Sequence, residues 1–362
     1  MVDVIPSSKH KARGALSNAS GRFEPHARVK VDDGWSVPGG EDEDLPPLRT
    51  TVTVDSTRTI IARNESPDIG FDRSINPYRG CEHGCIYCFA RPSHAFLGLS
   101  PGQDFETRLF AKPDAAHLLE AELRAPKYAC KTMAIGTNTD PYQPIERKMG
   151  IMRGVLEVLS AFSHPVGIVT KSALVTRDID ILAPMAARRL ARVFLSVTTL
   201  DPDLARRMEP RAARPKARLD AIKALADAGI PTGVMTAPMI PGLNDHEMES
   251  ILEAAAAAGA TSAGMTLLRL PLEIKDLFDE WLRENAPDRA ERVLSLIRQM
   301  RGGKLNESAF GKRMAGQGPI ADLLHKRFEL AVKRLDLNRE RYVLDTSAFK
   351  PPPKAGDQLA LL

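Results

Sequence analysis

The sequence predicts an α/β fold with a parallel sheet, and three observations predict it. From about residue 130 to 270, short β-branched runs alternate with amphipathic stretches of helical length. The helical stretches carry start and stop signals, such as Asn244 with Glu247 three residues on, and Gly229 and Gly259 at their ends. Strands that alternate with helices need crossover connections, which run right-handed and lay the strands parallel.

Taken in order, residues 1–50 read as a disordered tail. They hold a basic patch (Lys9, His10, Lys11, Arg13) and an acidic run (Glu41 to Asp44), with few large apolar residues to offset the entropy of ordering. Thr51–Arg63 alternates as a strand or hairpin leading in, with Ile60 and Ile61 as its apolar part. Phe71–Tyr78 delivers the chain to a cysteine loop and is a poor strand by propensity. Thr132–Ile135 is a buried-strand pattern, followed by Met149, Met152, Val155, Leu156 and Leu159 at helical spacing. Val166–Thr170 is the next strand, and Thr176 can cap a helix buried through Ile179, Leu182 and Met185. Val193–Thr198 follows, then a helix through Leu219, Ile222 and Leu225. Thr232–Thr236 is a strand, Asn244 opens a helix burying Met248, Ile251, Leu252 and Ala255, and Ser262–Leu267 is the last clear strand. With the weak first strand this makes six β/α units, over residues 51–270.

From 271 to 362 the pattern becomes a mainly helical accessory region. Leu277, Phe278 and Trp281, with Leu294, Ile297 and Met300, mark two helices that cover the barrel. A third, from Pro319, buries Ile320, Leu323, Leu324, Phe328 and Leu335, and Tyr342–Phe349 is extended.

At 362 residues the chain can bury a substantial core. With 43% hydrophobic and 27% charged residues and a formal net charge of +4, it reads as soluble, and the charge total alone gives no case for nucleic acid. No apolar run reaches the length of a membrane span. Clustered cysteines without a disulfide-like framework indicate a reducing compartment, the cytoplasm.

Three of the four cysteines lie in Cys81-Glu-His-Gly-Cys85-Ile-Tyr-Cys88. Soft thiolates select iron–sulfur clusters or zinc. A closed zinc site needs a fourth ligand, for which His83 and His94 are the candidates. Three thiolates alone hold three irons of a cubane and leave the fourth to another ligand. Gly80 and Gly84 let the backbone wrap closely there.

This spacing, with an aromatic residue before the last cysteine, resembles the signature of the radical S-adenosylmethionine (SAM) superfamily. The stretch from Ile75 to His94 resembles its spore photoproduct lyase-like branch. The resemblance implies a partial, open (β/α)6 TIM-like barrel whose first strand lies in Phe71–Tyr78. It also implies a [4Fe–4S] cluster on Cys81, Cys85 and Cys88, with SAM on the fourth iron and a reductant such as flavodoxin or ferredoxin. Reductive cleavage of SAM would then give methionine and a 5′-deoxyadenosyl radical, acting on an unknown substrate. Thr139 and Asp140 match positions that hold SAM's amino group, Lys171 one that contacts its carboxylate or ribose, and Ser196 a SAM-binding serine. Tyr87 and the Thr236-Ala237-Pro238 loop border the adenine. The rival class is a zinc- or iron–sulfur-binding protein without catalysis, serving interaction or electron transfer.

Two positions depart from the lyase pattern. Its hydrogen-donating cysteine corresponds to Asn138 here, and the tyrosine after the third cluster cysteine to Phe89, so repair of spore photoproduct by that route is not expected. Cys130, at the start of the second strand, reads as a buried structural thiol at the opposite end of the barrel. Two basic groups fit a phosphate backbone and keep nucleic acid among the partners. These are Arg206, Arg207, Arg211, Arg214, Lys216 and Arg218, and Lys304, Lys312, Arg313, Lys326 and Arg327.

Overall fold

The computed structural model describes residues 12–24, 26 and 48–353. Its strands are β1 (Thr51–Val54), β2 (Ile61–Arg63), β3 (Arg73–Ile75), β4 (Tyr78–Arg79), β5 (Arg108–Ala111), β6 (Met133–Ile135), β7 (Val166–Thr170), β8 (Ala191–Ser196), β9 (Thr232–Met239) and β10 (Ser262–Leu267). The main sheet has the order β10-β9-β8-β7-β6-β3-β2. Its six strands from β3 to β10 run parallel, and β2 closes one edge antiparallel to β3. Among the described residues β10 and β2 do not pair, so the sheet is an open α/β barrel of six β/α units, as expected.

The strands are buried because their inward residues are large and aliphatic. Ile75, Ile135, Ile168, Val193, Leu195 and Val234 are all 0% exposed. The crossover helices add Met152, Val155, Leu156, Leu182, Ile222, Leu225, Ile251 and Leu252 to the same core. The crossover from β3 to β6 departs from the simple pattern. It carries β4, then the cysteine loop, a 3₁₀ helix at Arg91–Leu97, β5 and a helix at Ala115–Leu123.

Several expectations are corrected here. Thr51–Arg63 is not a hairpin: β1 runs parallel to β5 in a separate three-stranded sheet, while β2 joins the main one. Ser172, not Thr176, caps the turn after β7, accepting from the Leu174 N–H. Asn244 and Glu247 form no capping box. The Asn244 side chain donates to the carbonyls of Thr198 (2.7 Å) and Pro238 (3.1 Å), and Glu247 accepts from the Thr199 hydroxyl and the Leu200 N–H. Both tie the end of β9 to the end of β8.

The stretch read as a disordered tail also holds a packed segment. In residues 12–24, Arg13, Gly14, Ala15 and Leu16 are buried. Lys9, His10, Lys11 and the acidic run lie outside the described residues.

The accessory helices Ile274–Asn285 and Pro287–Met300 form a second core with the cysteine loop. Ile86 and Tyr87 pack there with Leu204, Met208, Leu243, Leu268, Phe278, Trp281 and Ile297. The helix Gly318–Arg334 buries Leu324, but Leu323 is 56% exposed, against expectation. The final segment crosses the amino ends of the strands, where Phe349 packs against Tyr128, Phe162 and His164. Cys130 lies at this same end, just before β6, and is half-buried.

Ile168→Ala in the centre of β7 should cost about 2–5 kcal/mol, read as a shift in the urea midpoint. Leu323→Ala should change stability by no more than about 0.5 kcal/mol. Equal effects at the two positions would contradict this burial.

Candidate active site

In a parallel barrel the carboxyl ends of the strands carry the chemistry. The cysteine loop lies over that end and is fixed by backbone pairing at both sides. The Cys81 N–H donates to the Phe105 carbonyl (2.9 Å) and the Ile86 N–H to the Met208 carbonyl (3.0 Å). Gln143 clamps its start, accepting from the Glu82 N–H (2.8 Å) and donating to the Gly80 carbonyl (3.2 Å). Gly80 and Gly84 have φ of +76° and +67°. A side chain at Gly80 would strike Leu109 and His94, and one at Gly84 would strike Glu106.

Beneath the loop, Arg91 and Glu106 form an ion pair of 2.5 Å with both side chains 0% exposed. Arg91 donates to the carbonyls of Gly84 (3.0 Å), Cys85 (2.9 Å), Pro101 (3.2 Å) and Gly102 (3.0 Å). Sequence reasoning missed this pair, because an arginine just past a motif and a glutamate 15 residues later share no periodicity.

Cys81 and Cys85 are buried, Cys88 is partly exposed, and all are free thiols. Burial pushes the Cys81 thiol well up, with Asp140 and the two neighbouring thiols adding to it, and pushes Cys85 up to about 12. Ionising one thiol therefore opposes ionising the others, and a bound metal group relieves that opposition. Three coupled soft donors on a glycine-flanked loop fit a cluster. Among the described residues, no three His, Cys, Asp or Glu side chains gather as a single ion would need. His83 turns its Nδ1 towards Asp140 (3.4 Å), and His94 bonds the Arg108 carbonyl through Nε2 (2.9 Å).

Asp140, after β6, is brought to this site as an organiser. Its carboxylate accepts from the Thr170 hydroxyl (2.7 Å) and the N–H groups of Lys171 (2.7 Å) and Tyr142 (2.9 Å). Burial alone would raise its pKa, but His83, the Lys171 N–H and the Thr170 hydroxyl bring it down to about 2. The Thr139 hydroxyl donates to the Tyr78 carbonyl (2.9 Å). Lys171 stands over the Tyr87 ring at 5.8 Å, and among the described residues no carboxylate pairs with its ammonium.

Tyr87 is 6% exposed, and its hydroxyl donates to Glu209 and lies 3.2 Å from the Thr198 hydroxyl. Glu209 also takes a buried ion pair from Arg218, whose remaining donors reach the carbonyls of Ser196 (2.9 Å) and Ala213 (2.7 Å). Burial alone would raise the Glu209 pKa, but the Arg218 guanidinium and the Lys171 ammonium bring it down to about 2. Ser196 is buried at the end of β8, and the Ala237 carbonyl receives the Thr198 hydroxyl at 3.4 Å. No sequence spacing marks Glu209, which sits among arginines.

In the basic loop read as a phosphate contact, Arg218 and Arg211 are taken into the fold, while Arg206, Arg207, Arg214 and Lys216 stay exposed. Arg218 is 1% exposed. Arg211 pairs with Glu82 (3.1 Å), Arg206 with Asp203 (3.1 Å) and Lys216 with Asp220 (2.8 Å), while Arg207 donates to the Asn285 carbonyl (2.6 Å). Further on, Arg313 pairs with Asp68 and Arg327 with Glu249.

The family model of the radical SAM superfamily matches residues 75–255, which span β3 to the helix before β10. The chain belongs to the radical SAM superfamily. An uncharacterized protein of Mycobacterium tuberculosis is 37% identical over 281 residues, 75% of this chain and 82% of the relative. One from Methanocaldococcus jannaschii is 28% identical over 173 residues, 48% of this chain and 62% of its own. Among solved structures, spore photoproduct lyase complexed with dinucleoside spore photoproduct superposes with a TM-score of 0.56 at 16% identity, covering 78% of each chain. A mutant of that enzyme with bound AdoMet and the dinucleoside gives 0.56 at 15%, again over 78% of each. This radical SAM chain thus shares the lyase's fold. Among the described residues no helix is long and apolar enough to cross a membrane.

Arg218→Met should leave Glu209 buried without its cation, at a cost of about 3–5 kcal/mol by chemical denaturation. The Glu209 pKa is lower in the folded chain than its ordinary value of about 4.3. Its contribution is therefore present above that value and lost as pH falls towards 2. Glu209→Gln should flatten this acid limb of a stability–pH profile, and an unchanged limb would contradict the network.

Proposed function

We propose that this protein is a radical SAM enzyme that holds a [4Fe–4S] cluster on Cys81, Cys85 and Cys88 and cleaves SAM reductively. The observation that carries this reading is the placement of three free thiols in a glycine-flanked cradle, with the Lys171 ammonium over the Tyr87 ring beside them, at the carboxyl end of an open parallel barrel. Such a cluster, when bound, supplies the electron that breaks a carbon–sulfur bond of SAM, leaving methionine and a 5′-deoxyadenosyl radical.

The chain's own residues bind and orient. Lys171 offers its ammonium to the SAM carboxylate. Its backbone, like the loop after β6, is fixed by Asp140, so Asp140 positions the binding residue and leaves fewer lone pairs for SAM itself. Thr139 and Ser196 carry hydroxyls in the loop after β6 and at the end of β8, and Ala237 offers backbone near the end of β9. Tyr87, locked by Glu209 and Thr198, presents a fixed ring beneath Lys171 and excludes water from the cysteine loop. Electrons come from a flavodoxin or ferredoxin type of reductant, and the cytoplasm suits such a site.

The lyase with its bound dinucleoside lesion raises the question of nucleic acid. Asn138 is exposed, and its N–H is held by Asn76 (3.0 Å). Phe89 is 51% exposed beneath the Arg269 guanidinium at 5.7 Å. Asn138 has no S–H and Phe89 no O–H to give, so the reaction is not lesion repair by cysteine and tyrosine donation. A half-buried guanidinium on an exposed ring beside Cys88 does favour a substrate that joins a flat group to an anion, and an unpaired nucleotide has that form.

Anaerobic reconstitution should give about four irons per chain, lost in Cys85→Ala. Dithionite and SAM should then release 5′-deoxyadenosine. Lys171→Ala should weaken SAM binding roughly tenfold or more, as loss of a charge-assisted contact implies, while iron content holds. One zinc and no sulfide would favour the interaction protein, and a reducible cluster that leaves SAM intact would favour electron transfer. On DNA bearing spore photoproduct we expect SAM cleavage without release of two thymines, and clean repair would overturn that expectation.

A further inference from the structure

The residues around the cluster loop are not confined to the barrel. Glu106, already paired with Arg91, accepts two further hydrogen bonds, from the N–H groups of Gly14 and Ala15 (2.9 Å each). Gly14 lies so close to the loop that a side-chain carbon there would stand 1.8 Å from the Gly84 carbonyl oxygen. Ala15 is 1% exposed and packs with Cys85, Ile86 and Tyr87. Gln103 donates to the carbonyls of Ala15 (3.3 Å) and Leu16 (3.1 Å). Asn18 and Asp104 bond each other twice, through side chain and backbone, at 3.0 and 2.9 Å. Ser17 donates to Glu280 of the accessory helix (2.7 Å), and Arg13 to the Glu106 carbonyl (3.0 Å). All of these strap residues lie outside the segment that the superfamily model matches.

We propose that Arg13–Asn18 is a strap that completes the cluster site, holding the cysteine loop shut through Glu106 and Arg91 and setting how long a bound cluster survives attack from solvent. The proposal rests on the cluster reading above. Its physical content is a chain of contacts in which each member satisfies the next. Strap N–H groups satisfy the Glu106 carboxylate, Glu106 holds Arg91, and Arg91 holds the carbonyls of Gly84 and Cys85. Removing the strap leaves a buried carboxylate short of two donors, which is costly, and uncovers the apolar face around Cys85. The chain meets that cost by letting the loop open. Gly14, Gln103 and Glu106 are positioning residues, because they act through Arg91 and the loop backbone.

The test compares full-length protein with Gly14→Ala and the milder Gln103→Ala. Gly70→Ala is the control, since nothing lies within 4 Å of a side chain there. In the metal-free chains, amide exchange over Gly84–Arg91 should be about tenfold faster in Gly14→Ala, the factor that about 1.4 kcal/mol of lost closure produces. The effect should be smaller in Gln103→Ala and absent in the control. After anaerobic reconstitution, the brown absorbance should bleach in air faster in the same order, with far-UV circular dichroism unchanged. Equal exchange and bleaching rates in all four proteins would overturn the strap. If Gly14→Ala unfolds altogether, Gln103→Ala decides, and its matching the control is the overturning result. Should none of the proteins take up iron, the cluster reading fails, while the exchange rates still report on the strap.

Discussion

The site depends on one buried ion pair, Arg91 with Glu106. Removing both charges from water is costly, and Coulomb attraction repays it only when the remaining donors and acceptors are satisfied. Here they are: all five Arg91 donor directions are used, four on carbonyls and one on Glu106. Glu106 in turn receives Arg91 and two N–H groups. The pair fixes where the Gly84 and Cys85 carbonyls point, and so which way the intervening backbone faces. The barrel supplies a platform, and this pair determines the shape of what sits on it.

Other buried or partly buried carboxylates do comparable work around the same end. Asp140 joins β6, β7 and the cysteine loop, Glu209 joins Tyr87 to the turn after β8, and Glu247 with Asn244 joins the ends of β8 and β9. Each is held by hydrogen bonds from its neighbours. Lys171 is treated differently, since it faces the loop with no carboxylate of its own among the described residues. The Lys171 ammonium acts on Glu209 through its charge alone, without a direct ion pair, so it can also meet an anionic group at this end.

Much of this was legible in the sequence. β7 and β10 fall at the bounds expected of them, and β6, β8 and β9 shift by at most a few residues; for β6 to β9 the reason is that buried parallel strands are marked by apolar runs. The cysteines and Lys171 were found by resemblance and lie together. Residues whose roles depend on partners distant in sequence were not legible. Glu106 meets Gly14 across 92 positions, and Glu209 and Arg218 looked like members of a solvated basic loop. Asn244 and Glu247 carry a capping signal that tertiary contacts override, and Leu323 lies beside the buried stripe of its helix rather than on it. Gly14 and Ala15 lie in a stretch of low apolar content, where two backbone hydrogen bonds and a close glycine contact do what side-chain burial does elsewhere.

The second core has a consequence for how the protein is made. Ile86 and Tyr87 are buried against Phe278, Trp281 and Ile297, which follow them by about two hundred positions. Chains emerge from the ribosome amino end first. The cysteines are therefore synthesised long before the helices that enclose them, and wait on an unfinished surface. The closed cradle comes into being only once the chain has been made past Ile297, so metal delivered to that closed cradle arrives after translation of the barrel is over. Until then the three thiols are open to every oxidant and competing metal in their surroundings.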